Sequence, residues 1–195
     1  MTVATITPMA FTLGDRPVRP LTADEVLRMV EAGILGEDRR VELLHGVLTQ
    51  VSPKSPQHVA IKARIARWLD AAVPRYAVRI EDPLVVPDRT SLPEPDIAVV
   101  DPGDYLEAHP DGALLVVEVA WSSLEIDTEI KPELYAAAGV PDYWVVDVAA
   151  KRVHVFRGPG GDGYASRAVL GPAGSAAPVA VDVRPLDLAA LFRGL

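Results

Sequence analysis

The sequence contains no cysteine among its 195 residues. This absence excludes disulfide bridges, thiolate metal sites and cysteine nucleophiles together, and it fits a cytoplasmic protein. The chain also lacks any apolar run that approaches the roughly 20 residues of a membrane-spanning helix. Its first residues lack a basic segment followed by an apolar one. We therefore expect neither a membrane anchor nor a signal peptide.

Positive charge is scarce, with 19 Lys and Arg against 27 Asp and Glu and a net charge of −8. This balance argues against a protein that coats nucleic acid nonspecifically. The bases nevertheless concentrate between residues 54 and 79, where six of them accompany a single acid. Two interpretations stay open for this basic segment. It is either an ordinary solvated helix face or a surface that contacts a phosphate backbone through Lys62, Arg64 and Arg67.

The length and the hydrophobic fraction of 49% predict one domain with a sizeable core. We place this domain at residues 21–195, after an irregular arm at residues 1–20 that contains three prolines. The domain begins with a predicted helix. Thr22 and Glu25 have the spacing of a reciprocal capping box, and Gly33 ends the helical pattern.

The remaining pattern alternates strands with helices. A hairpin is predicted about His45 and Gly46, and a second helix over residues 55–73. Strand-like runs then follow at 76–86, 96–101, 114–120, 143–148 and 152–157. A helix between the third and fourth runs indicates a crossover, and the last two runs indicate an antiparallel pair. Beyond them we predict a turn at 158–163, a flexible loop at 171–178 and a short closing helix. The fold class is α/β (or α+β), with a central mixed sheet flanked by helices.

Two acids lie at the ends of apolar runs. Asp96 follows Pro95 in "EPDIAVV", and Glu118 lies within "ALLVVEVA". Hard divalent cations such as Mg²⁺ bind carboxylate oxygens, and a bound cation lowers the pKa of a water ligand. Lys131, on the next helical segment, is placed to orient such a water or to stabilise developing charge. The three residue types are what a metal-dependent phosphodiesterase requires.

A structural alternative remains open for these residues. An ionised glutamate inside an apolar strand is costly to bury unless it is paired or bound to metal. A buried ion pair between Glu118 and Lys131 would satisfy that requirement without any catalysis. A third acid, Glu42, opens the predicted hairpin, where a solvated strand residue is the commoner case.

Four motifs in order give the chain a family resemblance. These are the proline-aspartate strand, the "VVEVA" strand, the helix with Asp, Lys and Tyr, and the run "GVPDYWVVD". Together with "RRVELLHGVL" and "SPKSPQHVAI", they resemble the Uma-two family of bacterial nucleases. The resemblance extends from about Leu21 to the C-terminal helix and implies a restriction-endonuclease-like fold of the PD-(D/E)XK superfamily.

The resemblance also implies roles for four residues. Asp96 and Glu118 would be metal ligands, Glu42 an additional acid, and Lys131 the residue that positions water. In the superfamily the lysine stands two residues after the second acid, and here that position holds Ala120. The family is held to have moved this lysine to the next helix, which a long and flexible side chain permits.

Several further residues near these four in the sequence are candidates for secondary roles in the site or affect the position of Lys131. His58 begins the basic helix, where a surface role is favoured over a contact with phosphate or a proton. Asp127 either caps the helix of Lys131 or pairs with a nearby base, and the cap is the favoured role. Tyr135 follows Lys131 by four residues, so it shares the lysine's helix face and is expected to pack against the sheet. Pro132 disfavours helical geometry at Lys131 unless the lysine lies in the first turn. Trp121 either packs in the interior or stacks on a base.

These observations predict an Mg²⁺- or Mn²⁺-dependent endonuclease (a hydrolase) that cleaves phosphodiester bonds, with DNA as partner and a cytoplasmic location. Cleavage of both strands of a duplex would favour a homodimer. The alternative is an inactive nuclease-fold protein that binds nucleic acid or a protein partner. The missing Glu-x-Lys, the net negative charge and Pro132 favour that alternative.

Overall fold

The computed structural model describes residues 12–36, 40–51, 53–72, 75–87 and 89–195. Four α-helices are described: α1 (Ala23–Glu31), α2 (Pro56–Ala72), α3 (Lys131–Ala137) and α4 (Leu188–Leu191). A π-helical segment, Ile126–Ile130, leads directly into α3. The main strands are β3 (Val41–Leu44), β4 (Val47–Gln50), β5 (Ala77–Arg79), β6 (Ile97–Val100), β7 (Leu115–Ala120), β8 (Asp142–Asp147), β9 (Arg152–Gly160) and β10 (Gly163–Leu170). Shorter strands are β1 (Thr12–Leu13), β2 (Arg16–Pro17), β11 (Ser175–Ala176) and β12 (Leu186–Asp187).

One six-stranded mixed sheet organises the domain, in the order β10-β9-β8-β7-β6-β5. Strands β7 and β8 are parallel, whereas the other neighbouring pairs are antiparallel. A parallel pair needs a crossover connection, and the π-helical segment with α3 provides it. The predicted mixed sheet, crossover and antiparallel final pair are therefore confirmed.

Strand β7 is buried on both faces, because a helix covers each side of the sheet. Leu115, Val117 and Val119 pack on one face in a cluster with the apolar stripe of α2. Val116 and Ala120 belong to a second cluster, which contains Tyr135 of α3. Successive side chains along a strand point to opposite faces, so Glu118 shares the face of Val116 and Ala120. The alternation thereby directs the Glu118 carboxylate towards the helix that begins at Lys131.

A third apolar cluster joins α1 to the hairpin β3-β4. The capping box of Thr22 and Glu25 is present, and Gly33 adopts a left-handed conformation just after α1, as predicted. The hairpin turns at His45 and Gly46, whose φ angles of 49° and 81° are both positive. Two positive φ angles characterise the type I′ turn, which matches the twist of paired strands.

The structure corrects some predicted boundaries. The strand predicted over residues 76–86 ends at Arg79, and Glu81 takes a left-handed φ of 57°. Part of the loop predicted at 171–178 is the strand β11, which pairs with β12. Within the predicted arm, β1 and β2 form a short antiparallel pair. The arm's first eleven residues lie outside the described part of the chain.

None of the described helices is both long enough and apolar enough to cross a membrane.

Substitution of Gly46 tests how the hairpin is held against the chain before α1. A Cβ atom at Gly46 would lie 2.2 Å from Pro20 Cβ and 2.8 Å from Pro20 Cα. Left-handed strain and overpacking together should lower the free energy of unfolding of Gly46→Ala by about 3 kcal/mol. Gly33→Ala is the matched control, since Gly33 has a similar φ of 69° and open space around it, and should cost about 1 kcal/mol. Urea unfolding measures both, and equal losses would contradict the steric argument.

Candidate active site

A cleft of about 560 Å³ collects the predicted residues. Its walls come from α1, the β3-β4 hairpin, the chain before α2, the residues just before β6, the end of β7 and the π-helical segment. Glu42, Asp96, Glu118 and Lys131 all line it, although they are widely separated in sequence. The fold therefore brings together the four residues for which the resemblance implied roles.

Lys131 lies at the centre of the buried part of the cleft. Its Nζ atom is 2.9 Å from Glu118 Oε1, 3.0 Å from Glu42 Oε1 and 3.4 Å from Asp127 Oδ1. All four side chains are at least nine-tenths buried. Tyr135 donates its hydroxyl to the same Glu118 oxygen at 2.9 Å, and it also packs on the sheet as predicted. Three carboxylates thus share one ammonium group.

The local helical geometry explains how Lys131 reaches this position. The segment Ile126–Ile130 is a π-helical turn, of a type often found at functional sites. Lys131 then begins α3 with helical φ and ψ of −63° and −28°. Pro132 falls in the first turn of α3, where proline is tolerated, and Lys131 keeps helical geometry beside it.

Asp127 does not cap the helix, contrary to the prediction. It lies inside the π-helical segment, where its Oδ2 accepts a hydrogen bond from Ser123 Oγ at 2.5 Å and its Oδ1 faces Lys131. The extra residue of a π turn rotates this carboxylate inward. Asp127 is therefore a fourth acid of the cleft.

Asp96 lies next to the Lys131 cluster and is tightly held. Its Oδ2 accepts a hydrogen bond from the Val119 N–H at 2.8 Å, and its own N–H donates to Glu118 Oε2 at 3.2 Å. His58 Nε2 lies 2.9 Å from Asp96 Oδ1, and the His58 side chain is buried. The expected surface role of His58 is wrong, because the start of α2 packs over Asp96.

Sequence reasoning missed Glu81. Ligand atoms of His58, Glu81 and Asp96 all lie within 4.8 Å of one another, so these side chains can hold a metal ion. The Glu81 N–H donates to Pro95 O at 3.1 Å, which fixes Glu81 beside Asp96. The sequence signal was weak, because Glu81 lay inside a strand-like run and its left-handed turn depends on a partner fourteen residues away.

The bases predicted to contact nucleic acid divide into two groups. Lys62 reaches the cleft, since its Nζ contacts Glu81 and lies 3.9 Å from Asp96 Oδ1. Arg64 instead donates to the carbonyl oxygens of Leu191 and Arg193 at 2.6 and 2.8 Å, near the C-terminus. Arg67 donates to a backbone carbonyl of its own helix.

Trp121 lies on the rim of the cleft, three residues after Glu118. Its side chain is 47% exposed, which does not fit interior packing. The interpretation that Trp121 stacks on a base stays a prediction.

Residues 23–186 match the model of a family described as "Uma2: Putative restriction endonuclease". The match covers more than half of the chain. This protein belongs to the Uma2 family. The structure is also similar to a crystal structure from Anabaena variabilis ATCC 29413, titled as that of "a putative nuclease belonging to DUF820".

That structural similarity supports the fold of the Uma2 chain. The TM-score is 0.73, and the alignment covers 89% of this chain and 98% of the other at 18% identity. A search of curated proteins gave no match. The predicted family and the nuclease-type fold are both confirmed.

The electrostatics of the Uma2 site follow from its surplus of buried acids. Burial raises the pKa of Glu118 to about 8, although the Lys131 charge acts to lower it. Burial also raises the pKa of Asp127 and that of Glu94, with the neighbouring Glu42 adding to the latter. With its pKa raised this far, Glu118 retains a proton at neutral pH when no metal is bound.

The pKa values of Asp96 and Lys131 both shift in the direction that favours the charged form. Burial acts to raise the pKa of Asp96, but the hydrogen bond and charge of His58 outweigh it and hold that pKa below its usual value. Burial acts to lower the pKa of Lys131, but Glu118, Glu42 and Asp127 together raise it well above the usual range. Lys131 is therefore a permanent cation in the cleft.

The donor set of the cleft fits a divalent cation. Carboxylate oxygens suit Mg²⁺ and Mn²⁺, and an imidazole nitrogen among them favours Mn²⁺ or a later transition metal over Mg²⁺. A cation beside Glu118 and Asp96 would also offset the surplus of negative charge that raises the pKa of Glu118. The residues present therefore fit the metal that the family implies.

The pKa of Glu118 predicts how the metal-free protein responds to pH. Between its ordinary value of 4.5 and about 8, the folded protein keeps a proton that the unfolded chain has released. Stability should therefore be higher below this window and fall as the pH rises through it. In EDTA, the wild type should lose roughly 3 kcal/mol more than Glu118→Gln between about pH 5 and about pH 8.5. Urea unfolding at several pH values measures this, and parallel profiles for the two proteins would contradict the assignment.

Proposed function

We propose that this protein is a metal-dependent endonuclease that hydrolyses phosphodiester bonds in DNA, in the cytoplasm. The observation that carries the proposal is the position of Lys131 between Glu118 and Glu42, beside Asp96, in one cleft. The family's description supports a nuclease function. An acid pair, Asp96 and Glu118, lies beside Lys131 in the cleft, although this lysine comes from α3 and not from the strand that carries Glu118.

The residues of the cleft have different proposed roles in the reaction. Asp96, Glu118 and Glu42 are the proposed metal ligands, with His58 and Glu81 next to Asp96 as further donors. A divalent cation bound there supplies charge neutralisation at the phosphate and a bound water of lowered pKa. Lys131 orients the attacking water and stabilises the charge that develops on the phosphate oxygens. Tyr135 positions Glu118 through its hydrogen bond.

Metal binding can be tested apart from catalysis. If Asp96 is a ligand, saturating Mn²⁺ should raise the melting temperature of the wild type. At a concentration a hundred times Kd, mass action gives about 2.7 kcal/mol, or roughly 5–10 °C for a chain of this size. Asp96→Asn should abolish the gain. Comparing His58→Gln with Glu42→Gln then shows which group of donors holds the cation, and an unchanged gain in Asp96→Asn would remove Asp96 from the site.

Cleavage of supercoiled plasmid and of single-stranded DNA at low salt tests the activity itself. With Mg²⁺ or Mn²⁺, the wild type should cut, and Lys131→Met should cut about 10²–10³-fold more slowly, because an electrostatic contact to the transition state is lost. Asp96→Asn should show no metal-dependent cutting. Arg152→Met is the matched control, because Arg152 is an exposed cation outside the cleft. Equal rates for Lys131→Met and Arg152→Met would contradict the role of Lys131.

One observation favours the second candidate, a nuclease-fold protein that binds without cleaving. The Lys131 ammonium is already engaged by three carboxylates, and Ala120 stands where the superfamily lysine would be. If the wild type binds DNA but neither cuts it nor gains stability from any divalent cation, this candidate replaces the first. A homodimer remains a proposal that the cutting of both strands of a duplex would support.

A further inference from the structure

Two lysines at the mouth of the cleft share a single carboxylate. Lys54 precedes α2 and Lys62 lies within it, and the Nζ atoms of both contact Glu81 Oε1. Their side chains are 23% and 12% exposed, so both remain within reach of a ligand in the cleft. Glu81 thus contacts two ammonium groups, and that of Lys62 also lies near Asp96.

The lysine pair is positioned over the proposed reaction centre. Lys62 follows His58 by four residues in α2 and therefore shares its helix face. His58 contacts Asp96, and Lys62 Nζ lies 3.9 Å from Asp96 Oδ1. Lys54 lines the same cleft. A ligand that binds at Asp96 would therefore lie close to these ammonium groups.

The backbone conformation of Glu81 fixes its carboxylate beside the two lysines. Glu81 adopts a left-handed conformation, which is uncommon for a residue with a side chain and persists where the surroundings enforce it. The hydrogen bond from its N–H to Pro95 O enforces it here. Glu81 is therefore held by the backbone beside the two ammonium groups.

We propose that Lys54 and Lys62 form a binding subsite for a backbone phosphate next to the one that is cleaved, and that Glu81 holds them as a counter-ion until this phosphate displaces it. The identity of the anion as a nucleic-acid phosphate rests on the proposed function. A phosphodiester carries one negative charge and several acceptor oxygens, so it can receive both ammonium groups. The subsite attracts a polyanion to a cleft whose other charges repel it.

The neighbouring bases do not offer the same site. The guanidinium of Arg64 is engaged by two backbone carbonyls at the C-terminal end, and that of Arg67 by its own helix. Of the six bases between residues 54 and 79, only Lys54 and Lys62 are described in contact with Glu81. The basic segment of the sequence therefore contributes two cations to the cleft.

Binding of a short fluorescein-labelled DNA oligonucleotide tests the subsite. The titration is done in EDTA, so that neither cleavage nor metal binding contributes. Glu81→Gln keeps the shape of the side chain but removes the competing charge, and it should bind the oligonucleotide at least about threefold more tightly than the wild type. Lys54→Met and Lys62→Met should bind more weakly, and each should lower the slope of log Kd against log salt by about 1. Arg152→Met is the control for loss of one positive charge elsewhere.

Each outcome decides the proposal once circular dichroism shows that the variants are folded. Tighter binding by Glu81→Gln, together with lysine variants weaker than Arg152→Met, supports the subsite. Lysine variants that match Arg152→Met overturn it, as does a Glu81→Gln variant that binds no tighter or an absence of binding by every protein.

Parallel cleavage assays with Mn²⁺ separate this proposal from the proposed function. A wild type that cuts DNA, with lysine variants of unchanged affinity, removes the subsite and leaves the nuclease. A wild type that never cuts, with affinities that follow Lys54, Lys62 and Glu81, removes the nuclease and leaves an anion-binding cleft.

Discussion

The buried ammonium of Lys131 is the interaction on which the rest of the site depends. Glu42, Glu118 and Asp127 come from a hairpin, a central strand and a π-helical turn, and each points its carboxylate at this one cation. Without it, three acids at least nine-tenths buried would repel one another in a medium of low dielectric. Breaking such a group by removing one partner is typically costly, because it leaves an uncompensated buried charge. Lys131 therefore joins the hairpin and crossover to the sheet, and the same charge is available for chemistry.

The positions of the acids follow from the alternation of the sheet. Glu118 lies on the face of β7 that α3 covers, while the residues on either side of it pack under α2. Asp96 immediately precedes β6 and is tied to β7 by two hydrogen bonds, one in each direction. Two adjacent strands thus hold the two carboxylates in a fixed relation. Rigid strands position such groups more accurately than loops do.

Sequence reasoning succeeded where local rules were strong. The capping box at Thr22, the type I′ turn at His45–Gly46 and the apolar strand around Glu118 each have signals within a few residues. A glutamate in an otherwise apolar strand also indicated function, because its burial requires a partner. The family resemblance then strengthened the assignments of Glu42 and Lys131, whose own local patterns are ordinary.

Most of the failures involve long-range contacts. The burial of His58 depends on Asp96, 38 residues away, and the place of Glu81 depends on a hydrogen bond to Pro95 and an unusual φ. Asp127 was expected to cap the helix because the sequence gives no clear signal of a π-helical turn before α3. The sequence leaves open whether Arg64 is a solvated base or a phosphate contact, because the carbonyl groups that it contacts lie 127 and 129 residues away in the chain.

Ala120 shows what the displaced lysine means for the core. It lies two residues after Glu118 on the same face of β7, is 2% exposed and packs in the cluster that includes Tyr135 and Tyr143. A lysine restored at Ala120 would have to bury its stem and its charge among these rings. The strand position of the superfamily lysine is thus filled by an apolar residue of the core, and the lysine lies on α3. A return of the lysine to that strand position would require the core beneath α3 to be repacked at the same time.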